Sequence, residues 1–525
     1  MRNIKMLLLA LLMSVLTVNA QEASVENVLK LRTVKHSGQI IENNKLVGYF
    51  IFFTKENVDR NNTAYEIEMF DDNYNPSSNF EIVRPKNSIL LEMVYNGSVF
   101  MLHFYDSKTG YEFVTFDRNG EVKGSKSIGK ESISKWDLNK VLTNLQSETE
   151  NISIYPNGDK GFIRSTFTKY KNIGYEIVAY DNEANEIWSY KSDESSPMLE
   201  MVEINDVSAN YLTATVTKKK NLTTREMSNY LLLLNLTDGS QIAEISMGDD
   251  ASGLRSLMKS FVNESKKNIT IVGEYYKPYD DIIKDKSQGL YMQEISLTGE
   301  DLGITNFAWK GDIDQFISLT DEDGKKERPF YAFFHDVIIS KNGHIFLIGE
   351  QFLKQVSAGG IAMNVAANAL GGTTNASAFE MLLGDMIVVE FDASKNLVDF
   401  KMVEKKRTKV ILPAGMGVYG STTLGYYIKS MGAFDYSFTS RNKEKDFYDV
   451  IYIDGNRRED EQSAKSDLMV GVISIKGGKV TESRIPIFCE SKNWWIQPGK
   501  PGYISVSEYY KKEKKINMRL EKLTY

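Results

Sequence analysis

Eight times along this 525-residue chain a pair of strand-like segments recurs in the same order, and such repetition constrains the fold more than any other feature. The later member of each pair reads YEIEMF (from 65), YEFVTF (111), YEIVAY (175), YLLLLNL (230), LYMQEISL (290), MIVVEFD (386), LMVGVISI (468) and INMRLEKL (516). The earlier member reads GYFIFFT (48), VFMLHFY (99), FIRSTFT (162), YLTATVT (211), ITIVGEYY (269), IFLIGEQF (345), VIYIDGN (450) and YISVSEYY (503). The later members carry apolar or aromatic residues on both faces or nearly so, the signature of a strand covered on two sides. Flanking segments such as SILLEMVYN (88–96) and VKGSKSI (122–128) complete a four-stranded antiparallel meander. Meanders stacked radially make a β-propeller, in which neighbouring blades cover each other's faces. The expected fold is therefore all-β: one propeller domain over 21–525, with eight blades by the count of pairs and seven as the alternative. The last pair ends at the C-terminus without an outer partner, so NVLKLRTV (27–34) is expected to return and latch the ring. Helical spacing is confined to WDLNKVLTNL (136–145) and an insertion in the sixth unit, about 355–385.

The first twenty residues stand apart. Arg2 and Lys5 precede the apolar run MLLLALLMSVLTV (6–18) and a small-residue site ending at Ala20, the layout of a secretory signal peptide. The expectation is an exported protein, periplasmic, outer-surface associated or extracellular. No later run approaches eighteen apolar residues, so no transmembrane segment is expected after signal removal. Cys489 is the single cysteine, which rules out an internal disulfide and leaves stability to packing. The net charge of −7, without a domain-sized basic surface, argues against a nucleic-acid partner.

Acidic turns recur after the later strands, as in FDRNGEV (116–122), and raise the question of a cation loop. A helix-loop-helix calcium loop needs Gly at its sixth position and Glu at its twelfth. From Asp117 those places hold Val122 and Ile128, from Asp71 Pro76 and Ile82, from Asp181 Glu186 and Ser192. Asn119-Gly120 between two strands instead predicts a hairpin, since both residues tolerate positive φ and the twist of such a turn matches the strands. His36, His103, His335 and His344 make no H-E-x-x-H or Cys/His cluster, so no metal is expected. No nucleophile elbow or phosphate loop is present either, and no cofactor is expected.

Where the repeat is broken, chemistry has room. Glu274, Glu350 and Glu508 occupy the same place in three earlier-strand segments, and radial repetition carries equivalent positions to equivalent depths. These carboxylates are the candidate acids if the protein cleaves carbohydrate, a reaction that uses a carboxylate pair; the bland alternative is strand-end residues facing solvent. The insertion in the sixth unit contains Ile361 and Met363 between paired glycines and reads as a short apolar helix, either a flap and partner segment or a helix packed on the blade. Trp494 and Trp495 offer rings that stack on a sugar or peptide, or that pack between blades.

The stretch FDRNGEV and the ending NEIWSY (185–190) resemble blades of exported bacterial β-propellers, including uncharacterised secreted families and quinoprotein-like repeats. The resemblance implies the fold and no particular activity. The indole of Trp188 follows the turn in one repeat only, so no quinone is implied. Two functions are expected in order: a non-enzymatic propeller that binds a protein or glycan partner through loops on one face, and a carbohydrate hydrolase or lyase.

Overall fold

The computed structural model describes residues 21–31, 37–43, 45–144, 153–168, 172–221, 224, 226–249, 251–280, 282, 284–316, 331–357, 376–413, 415–457 and 466–524. Eight antiparallel sheets follow one another, seven with their four meander strands in sequence order and the last completed by a strand from the start of the described chain. They are blades 1 (Ser37–Pro85), 2 (Ile89–Gly129), 3 (Ile154–Lys191), 4 (Leu199–Asp249), 5 (Arg255–Ala308), 6 (Tyr331–Val403), 7 (Tyr436–Cys489) and 8 (Trp494–Lys522). All eight strand pairs read from the sequence are the second and third strands of these blades, and the seven-blade alternative falls. First strands of neighbouring blades approach each other around the axis, while fourth strands such as Pro76–Pro85 are exposed on the rim.

The two-sided apolar strands have a simple cause. Leu231 and Leu233 enter the layer between blades 4 and 5, whereas Leu232 and Leu234 enter the layer between blades 3 and 4. A run of four leucines thus serves two cores, because successive side chains of a strand point to opposite faces. Every pair of neighbouring blades shares such a layer, and the last joins blade 8 to blade 1 through Val25, Val28, Ile51, Phe53 and Ile516.

Ring closure differs from expectation in its residues. Glu22–Val25, not 27–34, supplies the fourth strand of blade 8, with Ala23 opposite Met518 and Val25 opposite Ile516. An outer strand is covered on one face only, so alternating Glu-Ala-Ser-Val suits it better than an apolar run. Asn27 then turns the chain at φ 62°, and Leu29 and Lys30 bond to Thr54 in blade 1.

The acidic turns close the third-to-fourth hairpins. Oδ1 of Asp71 accepts the N–H groups of Asn73 and Asn75, both at 2.8 Å, and Oδ2 accepts the Asn75 side-chain amide at 2.8 Å. Asp181 and Asp392 repeat all three bonds, and Asp117 repeats the two to backbone. Against the burial that raises each, these bonds hold Asp71 and Asp392 below the usual carboxylate range, and Lys123 together with the turn's N–H groups does so for Asp117. Of Asn119 and Gly120 only the glycine has positive φ, 81°, and the ladder shifts by one residue beside it. The loop is therefore a five-residue turn with a left-handed bulge position and not a two-residue turn. In these hairpins the acids bind their own backbone.

Among the described residues two α-helices interrupt the pattern: α1 (Lys135–Asn144), between blades 2 and 3, and α2 (Ser421–Ser430), between blades 6 and 7. The first matches the sequence expectation; the second was not foreseen. Among the described residues no helix is long and apolar enough to cross a membrane. The sixth-unit insertion divides: 358–375, with Ile361 and Met363, lie outside the described residues, and Ala376–Phe391 is a long strand.

Candidate functional site

In an antiparallel meander the first-to-second and third-to-fourth turns fall on one face, and the second-to-third turns and blade crossovers fall on the other. On the first face no loop exceeds five residues. The second face carries α1, the 276–288 loop of blade 5, the crossover after Ala308, and α2. It also carries the overlong second and third strands of blade 6, to which an added strand, Thr408–Pro413, pairs through Leu383–Glu380. Binding groups concentrate on such loops when a rigid scaffold holds them.

Glu274 stands near the end of its strand on this loop face, half-buried, and Ser287 from the 276–288 loop donates to its Oε1 at 2.7 Å. The same hydroxyl accepts the Trp309 indole N–H at 2.9 Å, and that indole stacks on Phe334. Burial raises the Glu274 carboxyl to about 7, with Ser287 opposing. Tyr426 of α2 packs edge-on against Phe333 and is within electrostatic range of both Glu203 and Glu274. Glu203 is exposed on the first strand of blade 4, nearest the axis. Tyr276 holds α2 in place through its hydroxyl, 2.5 Å from Thr422 Oγ1.

A second group forms under α1. Asp137 pairs with Arg164 at 2.8 Å, both fully buried, and Arg164 lies over the rings of Tyr111 and Phe113. One turn on, Lys140 donates to Ser165 Oγ at 3.3 Å and sits over Phe167. Burial lowers its pKa, while Asp137, Glu203 and Glu92 pull the other way. Glu203 is thus within electrostatic range of both Lys140 and Tyr426, which come from different connections.

The three candidate carboxylates hold equivalent positions without sharing a hydrogen bond or ion pair among the described residues. Glu350 is fully buried, accepts the backbone N–H groups of Asp435 and Tyr436 at 3.0 and 3.1 Å, and pairs with Lys405 at 3.2 Å. Lys405 also binds Asp435 at 2.6 Å. Burial raises Glu350 and pushes Asp435 up to about 6, and the two carboxylates keep Lys405 charged against its own burial. Beside them His335 is buried among Phe333, Phe434 and Tyr436, and burial keeps it neutral. Glu508 accepts the N–H groups of Glu490 and Ser491 at 2.6 and 2.8 Å and binds Arg519 at 2.6 Å. Both glutamates thus satisfy chain entering the next strand, whereas Glu274 has one serine and access to solvent. Trp494 packs partly into the layer between blades 7 and 8, and Trp495 into that between blades 8 and 1, with its indole N–H on Ser37. Cys489 is buried, and burial raises its thiol to about 11.

Lys140, Glu203, Ser287 and Tyr426 escaped the sequence reading because three of them belong to connections, where no repeat singles them out. Tyr426 had one signal, STTLGYYIKS (421–430), whose Leu424 and Ile428 fall on one buried helical stripe.

The whole chain matches one family model: residues 1–524 fit the Family of unknown function (DUF6770). The chain belongs to that family. No curated protein matches it. Solved structures to which the chain is similar include apo prolyl oligopeptidase B from Galerina marginata, at 7% identity and TM-score 0.39, over 91% of this chain and 56% of that one. The chain thus spans a little over half of that enzyme. They also include an alpha-L-arabinanase of Penicillium chrysogenum complexed with arabinobiose, at 10% identity and TM-score 0.28, over 70% and 93%. Likeness at this level concerns fold alone, so function has to be argued from the residues of this family member.

Proposed function

We propose that this DUF6770 protein is a non-enzymatic binding propeller that holds a protein or glycan partner on its loop face, across the mouth of the axis. The observation that carries the reading is a group of exposed apolar side chains at one place on the loop face. Tyr279 is 76% exposed, Val418 68%, Val356 60%, Ile411 59% and Tyr426 55%, and all five stand on loop-face connections or overlong strands around blades 5 and 6. Apolar groups gathered on one face among polar ones favour recognition, and tyrosine combines an apolar ring with a polar tip. The test is a glycan array together with capture of exported proteins, using the purified chain and its Tyr426→Ala and Val418→Asp variants. The reading expects a ligand whose capture falls about tenfold or more in either variant while the melting temperature stays put. Ligands held equally by all three chains would overturn it.

Carbohydrate cleavage has one observation on its side, the half-buried Glu274 with its carboxyl raised to about 7, a value suited to a general acid. That reading requires polysaccharide digestion that disappears in Glu274→Gln. The leader at 2–20 supports export. Cleavage after Ala20 would leave Gln21 first, and the Gln21 carbonyl already accepts the N–H of Leu520 at the closing strand. Sequencing the N-terminus of the exported form decides this point.

A further inference from the structure

The tight-turn face holds a cleft of about 420 Å³ between blades 7 and 8. Its wall is the hairpin Lys476-Gly477-Gly478-Lys479, in which Lys476 stands directly opposite Lys479 and Ser474 directly opposite Thr481. Residues two apart share a strand face, so two ammonium groups and two hydroxyl-bearing residues form a square on one surface. Lys445 joins them from the adjacent turn, which is tied to the hairpin by the Gly477 N–H on the Asp446 carbonyl. Phe447, Pro501 and Gly502 complete the lining.

Like charges opposed across a ladder destabilise a hairpin, and nothing about a two-glycine turn requires them. The two-residue turn of blade 1 places Glu42 opposite Lys45, charges of opposite sign. Around the cleft, the carboxylate paired across from Ser474 is Asp449, which is buried and already accepts the Ser474 hydroxyl at 2.6 Å. No ion pair of Lys445, Lys476 or Lys479 occurs among the described residues. In a chain of net charge −7, three unneutralised lysines converge on one concavity.

We propose that this cleft binds a small oxyanion ester, a sugar phosphate or sugar sulfate, with the charged group between Lys476, Lys479 and Lys445 and the sugar body against Phe447 and Pro501. Lysine recognises such groups as a point charge without fixed geometry, and the volume suits a ligand of one or two rings. The site lies on the face opposite the proposed partner surface, so the two readings stand or fall separately.

Calorimetric titration of the purified chain with glucose 6-phosphate, a sulfated disaccharide, the same disaccharide without sulfate, and pyrophosphate tests the assignment. The expected result is binding of the esters, weakening as salt rises, with the neutral sugar at least about tenfold weaker. Combined Lys476→Ala and Lys479→Ala replacement should lower ester affinity about tenfold or more without lowering the melting temperature, and Thr481→Val gives a second, charge-neutral variant. Preference between the phosphate and sulfate arms names the ester. Wild-type protein that binds no ester at millimolar concentration, or a double variant that binds as wild type does, overturns the proposal. So does pyrophosphate binding that neither variant alters.

Discussion

The two faces of the ring come from the same four-stranded unit and differ in what joins the strands. On the tight-turn face five-residue loops are closed by a carboxylate that bonds its own turn, as at Asp71, Asp117, Asp181 and Asp392. On the loop face the joins are long, and their polar groups bond elements outside their own turn: Asp137 to Arg164 of the next blade, Lys405 to Glu350 of blade 6 and Ser287 to Glu274 of blade 5. Local bonds fix a turn whatever surrounds it. Bonds to another element fix a loop only when that element is in place, which couples the loop face to the packing beneath it.

The sharpest way to break this contrast is Asp137→Ala. It strands the Arg164 guanidinium without its partner in a fully buried position, a defect worth about 3–5 kcal/mol. Urea unfolding should register that loss, and limited proteolysis should locate cleavage at 130–153 before any cut in the tight turns. Cuts appearing first in the tight turns would reverse the assignment of the weak face.

Next in size is the pH dependence of Glu274. Its folded pKa, about 7, lies above the ordinary 4.5, so the stability tied to its neutral form is complete below pH 4.5 and is lost as pH rises through 7. Glu274→Gln should therefore gain on the wild type progressively between pH 5 and 8, by up to about 3 kcal/mol, read as the difference between two thermal-melt series. A constant difference across that window would place the carboxyl in water.

A turn on the other face should cost less. Asp71→Ala removes three short hydrogen bonds from one hairpin; because they are part-exposed, the expected loss is about 1 kcal/mol. Asp71 has its pKa lowered by Asn75 and Asn73 against burial, so its contribution is present above the ordinary 3.8 and fades as pH falls through the lower folded value. The variant and the wild type should therefore converge in acid. The smallest effect has the opposite sign: Lys476→Glu places unlike charges across the Gly477-Gly478 hairpin and should stabilise the chain by a few tenths of a kcal/mol, measurable as a small rise in urea midpoint.

Much of the architecture was legible beforehand because the strands carry it locally. Leu231 to Leu234 alternate between two cores, and a chain with eight such segments has few ways to cover both faces of each. The latch was misplaced by a few residues, since both Glu22–Val25 and the segment from Asn27 are short and half-apolar, and only the register against Ile516–Arg519 separates them. The acids behaved unequally. Glu274, Glu350 and Glu508 look alike in sequence, yet Lys405 and Arg519, brought from 55 and 11 residues away, give two of them structural partners that the third lacks. Helix α2 went unread because its ten residues carry a weak apolar stripe, Leu424 and Ile428, that makes sense only over Phe352 and Phe434.

The sequence by itself determined the repeat, its paired strands and the turns between them, because each depends on residues within one hairpin, whereas the choice of eight blades over seven needed the closed ring. Tertiary structure decided which carboxylate stays half-solvated and titrates near neutrality, which lysines share a cleft, and which face bears every long connection. Those properties arise when side chains distant in sequence are desolvated together, and burial is a property of the closed ring.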